Sequence, residues 1–380
     1  MTQDDDRPMI DAARRVAAGL LAPAAAGRDR AGLYPLAEMQ ELGRLGFLGA
    51  GTSPEWGGAG VAAETLATVI EELSAADASV GVLVSLHNSL VCKPVEDHGT
   101  RAQKERFLRP LAAGELLGAV SITEGQSGSD AADIRLRARP DGSGWRLDGA
   151  KELVTGGSDA GLVVMLAQVD GAEGAGGPTC FLVPGDTPGF RVARIEDKLG
   201  ITASGTAALR LEDVRLGPEH LLGGVGEGLR ILMAALARSR IGIAAQAVGI
   251  ARAAFDAACA YARERESFGQ PIIRHQAVGH RLADMATEIE AARQLTRHAA
   301  RLADAGQPFQ QASSMAKLFA GEMAERVTSD ALQTFGGLGY LRSCAAERHF
   351  RDARVCKIYE GTADIQRMVI ARTLARGNAG

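Results

Sequence analysis

Cysteine and histidine are too few and too scattered in this 380-residue sequence to build a cross-linked or metal-bound framework. The cysteines are odd in number and form no CxxC pair; they are Cys92, Cys180, Cys259, Cys344 and Cys356. The seven histidines form neither an HxxxH nor an HExxH pattern. We therefore predict no disulfide framework and no metal site, and reduced thiols that fit a cytosolic protein.

The sequence also lacks a strong charge of either sign. Lys and Arg total 42 against 46 for Asp and Glu, which gives a formal net charge of −4. That balance gives no electrostatic footprint for nucleic acid and no polybasic membrane patch. No uninterrupted apolar run approaches the roughly 18 residues of a spanning helix, and the polar start MTQDDDRPMI does not resemble a secretory signal. We predict a cytoplasmic protein that binds neither nucleic acid nor a membrane.

What the sequence does contain is an ordinary globular composition, 46 % hydrophobic and 23 % charged, with 47 glycines. Its length predicts two or three domains at about 100–200 residues each. Apolar residues recur at helical spacing over residues 1–118, alternate as in strands over 119–222, and return to helical spacing in Ala-rich segments over 223–380. We predict an α+β fold with an N-terminal helical domain (1–118), a middle antiparallel β domain (119–222) and a C-terminal helical bundle (223–380).

Five short segments carry glycine or charge in unusual contexts, although each one alone has an ordinary structural explanation. They are SITEGQSGSD (121–130), LARSRIGIAA (236–245), RESFGQPIIRHQ (265–276), QTFGGLGY (333–340) and IYEGTADIQ (358–366). Clusters of Gly, Ser and Asp are common in turns, FGQP is a helix stop signal, and glycines after a helix can cap it. The alternative is close approach of the backbone to a polar ligand, which glycine permits.

Two charged residues in these segments are candidates for chemistry. Arg240 has apolar neighbours three and four residues away on its helix, so it either snorkels or is buried and must then be hydrogen-bonded. Glu360 precedes Gly361 and a predicted N-cap, Thr362. It is either a solvated carboxylate near a helix start or a carboxylate delivered to a substrate on a short loop.

In their joint order and spacing, the motifs resemble the acyl-CoA dehydrogenase family over essentially the whole chain. The resemblance is carried by TEGQSGSD, KELVTGG, the TPGF turn, RESFGQPI, HQ, QTFGGLGY and ERHFRDARVCKIYEGTADIQR. It implies the family's fold, with a C-terminal four-helix bundle, and FAD as the cofactor. It also implies an acyl-CoA substrate, a homotetramer and electron-transfer flavoprotein as the partner that reoxidises the flavin.

The same resemblance assigns binding residues motif by motif. Thr123 would meet the flavin, Ser129 the substrate's pantetheine beside the cofactor, and Thr155 the region of the hydride-accepting nitrogen. Thr362 would bind the FAD of its own subunit. A further set would hold the FAD of a neighbouring subunit: Arg265, Phe268, Gln276, Gln333, Gly336 and Gly337.

Glu360 matches the family's catalytic base in YEGT, and the helix around Arg240, with Ser239 before it, offers no carboxylate to replace it. Arg240 and Gly361 would contact the substrate, and Arg240 would hold the base or the developing enolate. A flavin ribityl hydroxyl and the backbone N–H of Glu360 would stabilise the enolate charge. The bound acyl chain would exclude water and raise the pKa of the base.

Three positions depart from the family pattern: Leu153 replaces a tryptophan, Gly125 a proline and Ala237 an aspartate near the CoA chain. The absence of that aspartate at Ala237 leaves open an acyl-carrier-protein-linked dehydrogenase. A flavin oxidase on the same fold is a second alternative, and a catalytically silent binding protein a third, which the intact Glu360 and Arg240 disfavour. The segment SLHNSL (85–90) resembles short-chain and branched-chain members, so we predict a short or short-branched acyl group.

Overall fold

The computed structural model describes residues 6–170 and 176–377. Its N-terminal part is helical, as predicted. The helices are α1 (Arg7–Val16), α2 (Ala22–Ala31), α3 (Leu36–Arg44), α4 (Ala63–Ala76), α5 (Ala78–Leu86), α6 (Lys93–His98), α7 (Arg101–Gln103) and α8 (Arg109–Ala113). The π-helical turns Ala17–Leu21, His87–Cys92 and Lys104–Leu108 join α1 to α2, α5 to α6 and α7 to α8.

Local sequence explains where α4 ends and α5 begins. The apolar stripe of α4 is buried at Val69, Ile70 and Leu73, because helical spacing puts these side chains on one face. The Asp77 carboxylate then accepts the backbone N–H groups of Ser79 (2.9 Å) and Val80 (3.3 Å). This N-cap satisfies the first donors of α5 and lets the chain change direction between two buried helices.

The middle part is a single mixed sheet. Its strands are β1 (Gly118–Ser121), β2 (Arg137–Asp141), β3 (Gly144–Val154), β4 (Leu162–Val169), β5 (Gly177–Pro184), β6 (Phe190–Ile195), β7 (Ala207–Leu216) and β8 (Leu221–Leu222). The strand order is β6-β7-β3-β2-β4-β5-β8, and β1 also pairs with β4. The β1 and β2 pairings with β4 are parallel, whereas the remaining pairings described for this sheet are antiparallel.

Strands β4 and β5 are covered on both faces. Leu162 and Val164 of β4 belong to an apolar cluster with α8 and the start of the C-terminal helices, whereas Val163 and Met165 face a second cluster within the β domain. Strands buried on both faces read as continuous apolar runs rather than as alternating ones. The apolar segment LVVMLAQV is therefore a strand, as predicted.

The C-terminal part is a helical bundle. It contains α9 (Gly228–Glu264), α10 (Gln276–Asp304), α11 (Gln310–Phe335), α12 (Ala345–Ala353) and α13 (Ala363–Ala375), with a short hairpin of β9 (Glu266–Ser267) and β10 (Gln270–Pro271) between α9 and α10. Helix α9 packs against α4, α5, α10, α11 and α12. A Cβ built on Gly249 would lie 2.3 Å from the Glu71 carbonyl oxygen, so glycine allows α9 and α4 to approach closely.

Two helices are long and apolar enough to cross a membrane by length and composition, Ala78–His98 and Gly228–Glu264. Their most apolar windows are 94 % and 78 % buried inside the protein. Their apolar faces therefore contact other parts of the fold, as in the core helices of a globular protein.

A buried polar junction connects the three parts of the chain. Arg351 of α12 donates to both carboxylate oxygens of Asp29 on α2, at 3.0 and 2.6 Å. Asp352 accepts the backbone N–H of Ile201, in the loop before β7, at 2.6 Å. Since each contact joins residues more than a hundred positions apart, the junction fixes α2, the β domain and α12 relative to one another.

Candidate active site

The loop that precedes α13 turns sharply at two consecutive residues. Glu360 and Gly361 have φ angles of 56° and 88°. A left-handed backbone costs a residue with a side chain about 1–2 kcal/mol, so neighbouring contacts must hold Glu360 in it. Thr362 then caps α13, since its Oγ1 accepts the N–H of Ile365 at 3.3 Å. The loop carboxylate and the N-cap that the sequence predicts are both present.

Side chains from two other helices and from α13 itself hold this turn. Gln366 of α13 donates from Nε2 to the carbonyl oxygens of Glu360 (3.2 Å) and Gly361 (3.0 Å). Lys317 of α11 donates from Nζ to the Gly361 carbonyl at 2.6 Å. Tyr359 donates its hydroxyl hydrogen to Gln246 of α9. A Cβ built on Gly361 would lie 2.7 Å from Gln366 Nε2, so only glycine fits here without displacing that contact.

Glu360 lines a cavity of about 340 Å³ between the β domain and the C-terminal bundle. Most of the wall is apolar, with Leu86 and Leu90 contributed by the α5–α6 helix and Leu236 by α9. The remaining lining residues include Val120, Ile122, Thr123, Ser129, Leu153, Thr155, Met233, Arg240, Tyr359, Gly361, Thr362 and Ile365. An apolar cavity with a few convergent polar groups is the usual form of a small-molecule site.

The carboxylate of Glu360 is poised in this cavity. Its Oε2 is shielded from solvent and makes no hydrogen bond within residues 6–170 and 176–377. Burial raises the pKa of Glu360 to about 7, and the neighbouring Ser239 hydroxyl, Lys317 and Arg240 limit the rise. A carboxylate with an open oxygen and a pKa near neutrality is suited to accept a proton from a bound molecule.

Arg240 is buried rather than snorkelling, with 8 % of its surface exposed. Its Nη1 donates to the Ser314 hydroxyl at 3.2 Å, and its Nε has no partner in the described part of the chain. Burial lowers the pKa of Arg240, while the nearby Glu360 carboxylate raises it. A guanidinium stays protonated in proteins, so the cavity holds a cation with unused donor capacity beside Glu360.

Three hydroxyl side chains face the same cavity from the β domain: Thr123 and Ser129, in the loop after β1, and Thr155, just after β3. None of the three hydroxyls hydrogen-bonds another residue in the ranges described. Between them Leu153, at φ 56°, exposes 62 % of its surface. Free hydroxyls around an exposed apolar side chain fit a flat ring with a polar edge, such as a flavin.

A buried ion pair supports this wall. Lys151 of β3 donates from Nζ to Glu124 Oε1 at 2.8 Å and to the Ile122 carbonyl at 2.9 Å. Glu124 also accepts the backbone N–H groups of Arg135 (2.7 Å) and Leu136 (3.1 Å). The shared carboxylate fixes the loop that carries Thr123 and Ser129, so TEGQSGSD and KELVTGG form one structural unit.

The other predicted cofactor residues lie at the far end of the bundle. Tyr261 of α9 stacks on Phe335 of α11, with ring centroids 4.6 Å apart, which places the ends of these helices together. This end carries Arg265, Phe268, Gln276, Gln333, Gly336 and Gly337. The distance along the helix axis from Arg240 to the end of α9 is about 36 Å, at 1.5 Å per residue. These six residues therefore do not reach the cavity of their own chain.

Sequence reasoning missed the residues that hold the turn, Lys317 and Gln366 above all. A signal for Lys317 was present in the sequence. Its helical neighbours three and four residues away are all small, namely Ser313, Ser314, Ala320 and Gly321. A lysine on a stripe of small residues indicates burial, by the same reasoning that singled out Arg240.

Comparison with known proteins identifies the family. Three family models match successive parts of the chain: acyl-CoA dehydrogenase, N-terminal domain (residues 3–115), middle domain (119–214) and C-terminal domain (226–375). The chain belongs to the acyl-CoA dehydrogenase family. The mitochondrial short-chain specific acyl-CoA dehydrogenase of Bos taurus is 43 % identical to it over 356 residues, which cover 94 % of this chain and 86 % of that protein.

Solved structures agree over almost the whole length. Butyryl-CoA dehydrogenase from Megasphaera elsdenii superposes with a TM-score of 0.96 and 38 % identity, covering 99 % of both chains. A chain from work on the electron transferring flavoprotein of Acidaminococcus fermentans gives a TM-score of 0.96 and 41 % identity, also over 99 % of both chains. The predicted family and fold are confirmed, and this acyl-CoA dehydrogenase is an oxidoreductase.

FAD is the cofactor of this enzyme. Glutaryl-CoA dehydrogenase from Mycobacterium smegmatis, 32 % identical with a TM-score of 0.93, was solved in complex with FADH2. The free hydroxyls and the exposed Leu153 on the β wall of the cavity fit the flavin ring of this cofactor. The enzyme thus carries out FAD-dependent dehydrogenation of an acyl-CoA.

Proposed function

We propose that Glu360 is the base that removes the α-proton of a short or short-branched acyl-CoA in this enzyme. The observation that carries the proposal is that Glu360 lines an apolar cavity while its buried Oε2 has no hydrogen-bond partner in the described part of the chain. Its carboxylate would accept the proton once a thioester fills the cavity and displaces water, because desolvation makes a carboxylate a stronger base.

Two further groups on this chain would stabilise the negative charge that develops on the thioester oxygen. The backbone N–H of Glu360 makes no hydrogen bond to another described residue, and the strained turn holds it in place. Arg240 supplies a buried positive charge beside the carboxylate. Preorganised donors of this kind are worth several kcal/mol in a water-excluded site. FAD, when bound, supplies the acceptor for the β-hydride.

The shape of the cavity supports a short acyl group. Leu86 and Leu90 project from the α5–α6 helix, and Leu236 projects from α9. These apolar side chains share the cavity with the proposed flavin site, so they would limit the length of the acyl chain that fits beside the ring. Ser129, Arg240 and Gly361 line the same space and are proposed to contact the substrate.

The remote set of six residues is proposed to bind the FAD of a neighbouring subunit. Arg240 lines the cavity together with Thr155 and Thr362, and the end of α9 that precedes Arg265 and Phe268 lies about 36 Å along the helix from Arg240. A cofactor bound in the cavity would therefore not contact Arg265 and Phe268 of the same chain. Gln276 and the segment Gln333–Gly337 share that location. We propose a homotetramer on this basis, with the division into domains at 1–118, 119–222 and 223–380.

Electron-transfer flavoprotein is the proposed acceptor, since a reduced flavin must be reoxidised for turnover. The balanced surface charge is compatible with the cytoplasm as the proposed compartment.

The test is an anaerobic bleaching screen on the purified, FAD-loaded protein with acyl-CoA thioesters of increasing length and branching. Butyryl-CoA or a short branched thioester should reduce the flavin fastest, and octanoyl-CoA and longer chains more slowly. Failure of every acyl-CoA to bleach the flavin would contradict the proposal. Fast peroxide formation in air without another acceptor would instead identify an oxidase, and reduction only by a carrier-protein thioester would identify a carrier-linked enzyme.

A further inference from the structure

Lys317 is a lysine deep inside the protein, and no carboxylate of residues 6–170 and 176–377 bonds to it. Only 1 % of its surface is exposed, although a buried ammonium is expensive unless it is paired. The other fully buried lysine, Lys151, has Glu124 at 2.8 Å. For Lys317 no acidic oxygen within 4 Å is found in the described residues. Its one hydrogen bond there is to the carbonyl oxygen of Gly361 at 2.6 Å.

We propose that Lys317 is a positioning residue for the base, acting through the Gly361 carbonyl and through its charge. This inference rests on the proposed role of Glu360. The residue reaches from α11 to the loop before α13, across 44 positions in sequence. It does not line the cavity, so it acts on the reaction through Glu360 rather than by touching the substrate.

The hydrogen bond fixes the orientation of one peptide group. Lys317 and Gln366 donate to the same Gly361 oxygen from different helices. With that carbonyl held at two points, Gly361 keeps its φ of 88° and Glu360 its φ of 56°. The Glu360 side chain and its own N–H then remain directed as the reaction requires.

The charge acts on Glu360 directly. The groups facing Lys317 are Glu360 and Cys356 on the loop side and Arg240 on α9. Burial lowers the pKa of Lys317 to about 8. Two cations from different helices, Lys317 and Arg240, thus offset part of the burial that raises the pKa of Glu360. A neutral side chain in place of Lys317 could fill the space but would leave this carboxylate with one cation fewer.

The experiment compares Lys317→Met and Lys317→Gln with Lys357→Met as the matched control. Lys357 is also a lysine that bonds across to α11, where its Nζ donates to Glu325 at 2.7 Å, but it is part of neither the cavity nor the turn. The readout is exchange of the α-protons of butyryl-CoA in deuterated water by the pre-reduced enzyme, measured by NMR against pH. Hydride cannot leave to a reduced flavin, so exchange reports proton removal without the hydride step.

For Lys317→Met we expect an exchange rate at least about tenfold lower than that of the wild type. We also expect its pH profile to shift upward by about one unit, which is the low end of the pKa change caused by loss of a neighbouring opposite charge. Lys317→Gln, which retains a donor without the charge, should recover part of the rate but not the profile. Melting temperature and FAD content identify folded variants, and Lys317→Gln decides the matter if the methionine variant does not fold.

Wild-type rate and pH profile in either folded lysine variant would overturn the proposal, as would an equal change in Lys357→Met. Absence of exchange in the wild-type enzyme is a different outcome, because it contradicts the role of Glu360 itself.

Discussion

Asp352 and Glu360 stand close together in sequence, and burial raises the pKa of each carboxylate to about 7. Asp352 is 4 % exposed, and one of its oxygens accepts the Ile201 N–H at 2.6 Å. Glu360 instead has an oxygen without a partner among the described residues, and it faces a cavity. A raised pKa alone therefore does not distinguish a structural acid from a reactive one; the hydrogen bonds around it do.

The surroundings of the two residues explain the difference. Next to Asp352, Arg351 bonds Asp29, and these contacts connect α12 with α2 and the β domain. Around Glu360, by contrast, Lys317 and Gln366 donate to backbone carbonyls of the turn rather than to the carboxylate. The charged residues around Asp352 thus connect parts of the fold, whereas the hydrogen bonds around Glu360 hold the turn that carries its carboxylate.

Exchanging each acid for its amide should separate the two roles most strongly. Glu360→Gln should reduce the rate of anaerobic flavin bleaching by about 10²–10⁴-fold, the usual contribution of a general base, while the protein stays folded and yellow. Asp352→Asn, which can still accept the Ile201 N–H, should bleach at the wild-type rate. Stopped-flow absorbance measures both, and undiminished bleaching by the glutamine variant would remove Glu360 from its proposed role.

When stability is measured, truncation to alanine should have the larger effect at Asp352 and the smaller effect at Glu360. Asp352→Ala leaves the Ile201 N–H without an acceptor inside the protein, and we expect it to lower the free energy of unfolding by about 1–3 kcal/mol. Glu360→Ala leaves no backbone N–H of the described residues without its acceptor, so its loss should be smaller. Urea unfolding of the FAD-loaded proteins provides the comparison, and a larger loss for Glu360→Ala would refute our distinction.

The rise of turnover with pH should follow Glu360 rather than Asp352. Only the carboxylate form accepts a proton, so kcat/KM should rise with pH, with a midpoint near the pKa of about 7. Asp352→Asn should keep the midpoint of the wild type. The test is to measure initial rates at constant ionic strength between pH 5.5 and 8.5, which spans roughly 1.5 units on each side of that midpoint. A midpoint that shifts in Asp352→Asn would contradict the prediction.

The pH dependence of stability should also depend on Asp352. Folded Asp352 keeps its proton up to about pH 7, whereas its ordinary pKa is 3.8. The folded state thus binds more protons between these values, so this residue makes stability fall as pH rises, by at most about 1.4 kcal/mol per unit. In Asp352→Asn, the urea midpoint of unfolding should fall less steeply between these two pH values than in the wild type. An unchanged dependence of the midpoint on pH would show that Asp352 does not titrate there.

The zones of the fold could be predicted because periodicity is a local property. The stripe of α4 and the apolar run of β4 both form as the spacing of their residues indicates. The parallel pairing of β1 with β4 could not be predicted, since it depends on which distant strand lies beside Gly118–Ser121. Leu36 and Leu45 recur at the same helical spacing as the buried Met39 and Leu42, yet they remain almost half exposed. Helical spacing does not show whether a neighbouring element covers both ends of a helix.

In the candidate site, too, some residues could be predicted from local sequence and others could not. Glu360, Arg240 and Thr155 stand in recognisable motifs, and the structure brings them to one cavity. Lys317 and Gln366 stand in no motif that we recognised, because their role arises only when α11 and α13 meet the same carbonyl oxygen. Contacts made by folding thus determine which residues support a site, whereas local sequence identifies several of those that line it.

The far end of the bundle has a practical consequence for handling the protein. Phe268 exposes 94 % of its surface at the tip of a hairpin, and Tyr340 exposes 84 % just beyond α11. Apolar groups concentrated on one end of a lone polypeptide favour self-association and precipitation. Any effort to prepare a solitary, soluble chain, for spectroscopy or for a biosensor, should begin by replacing these two rings with polar side chains.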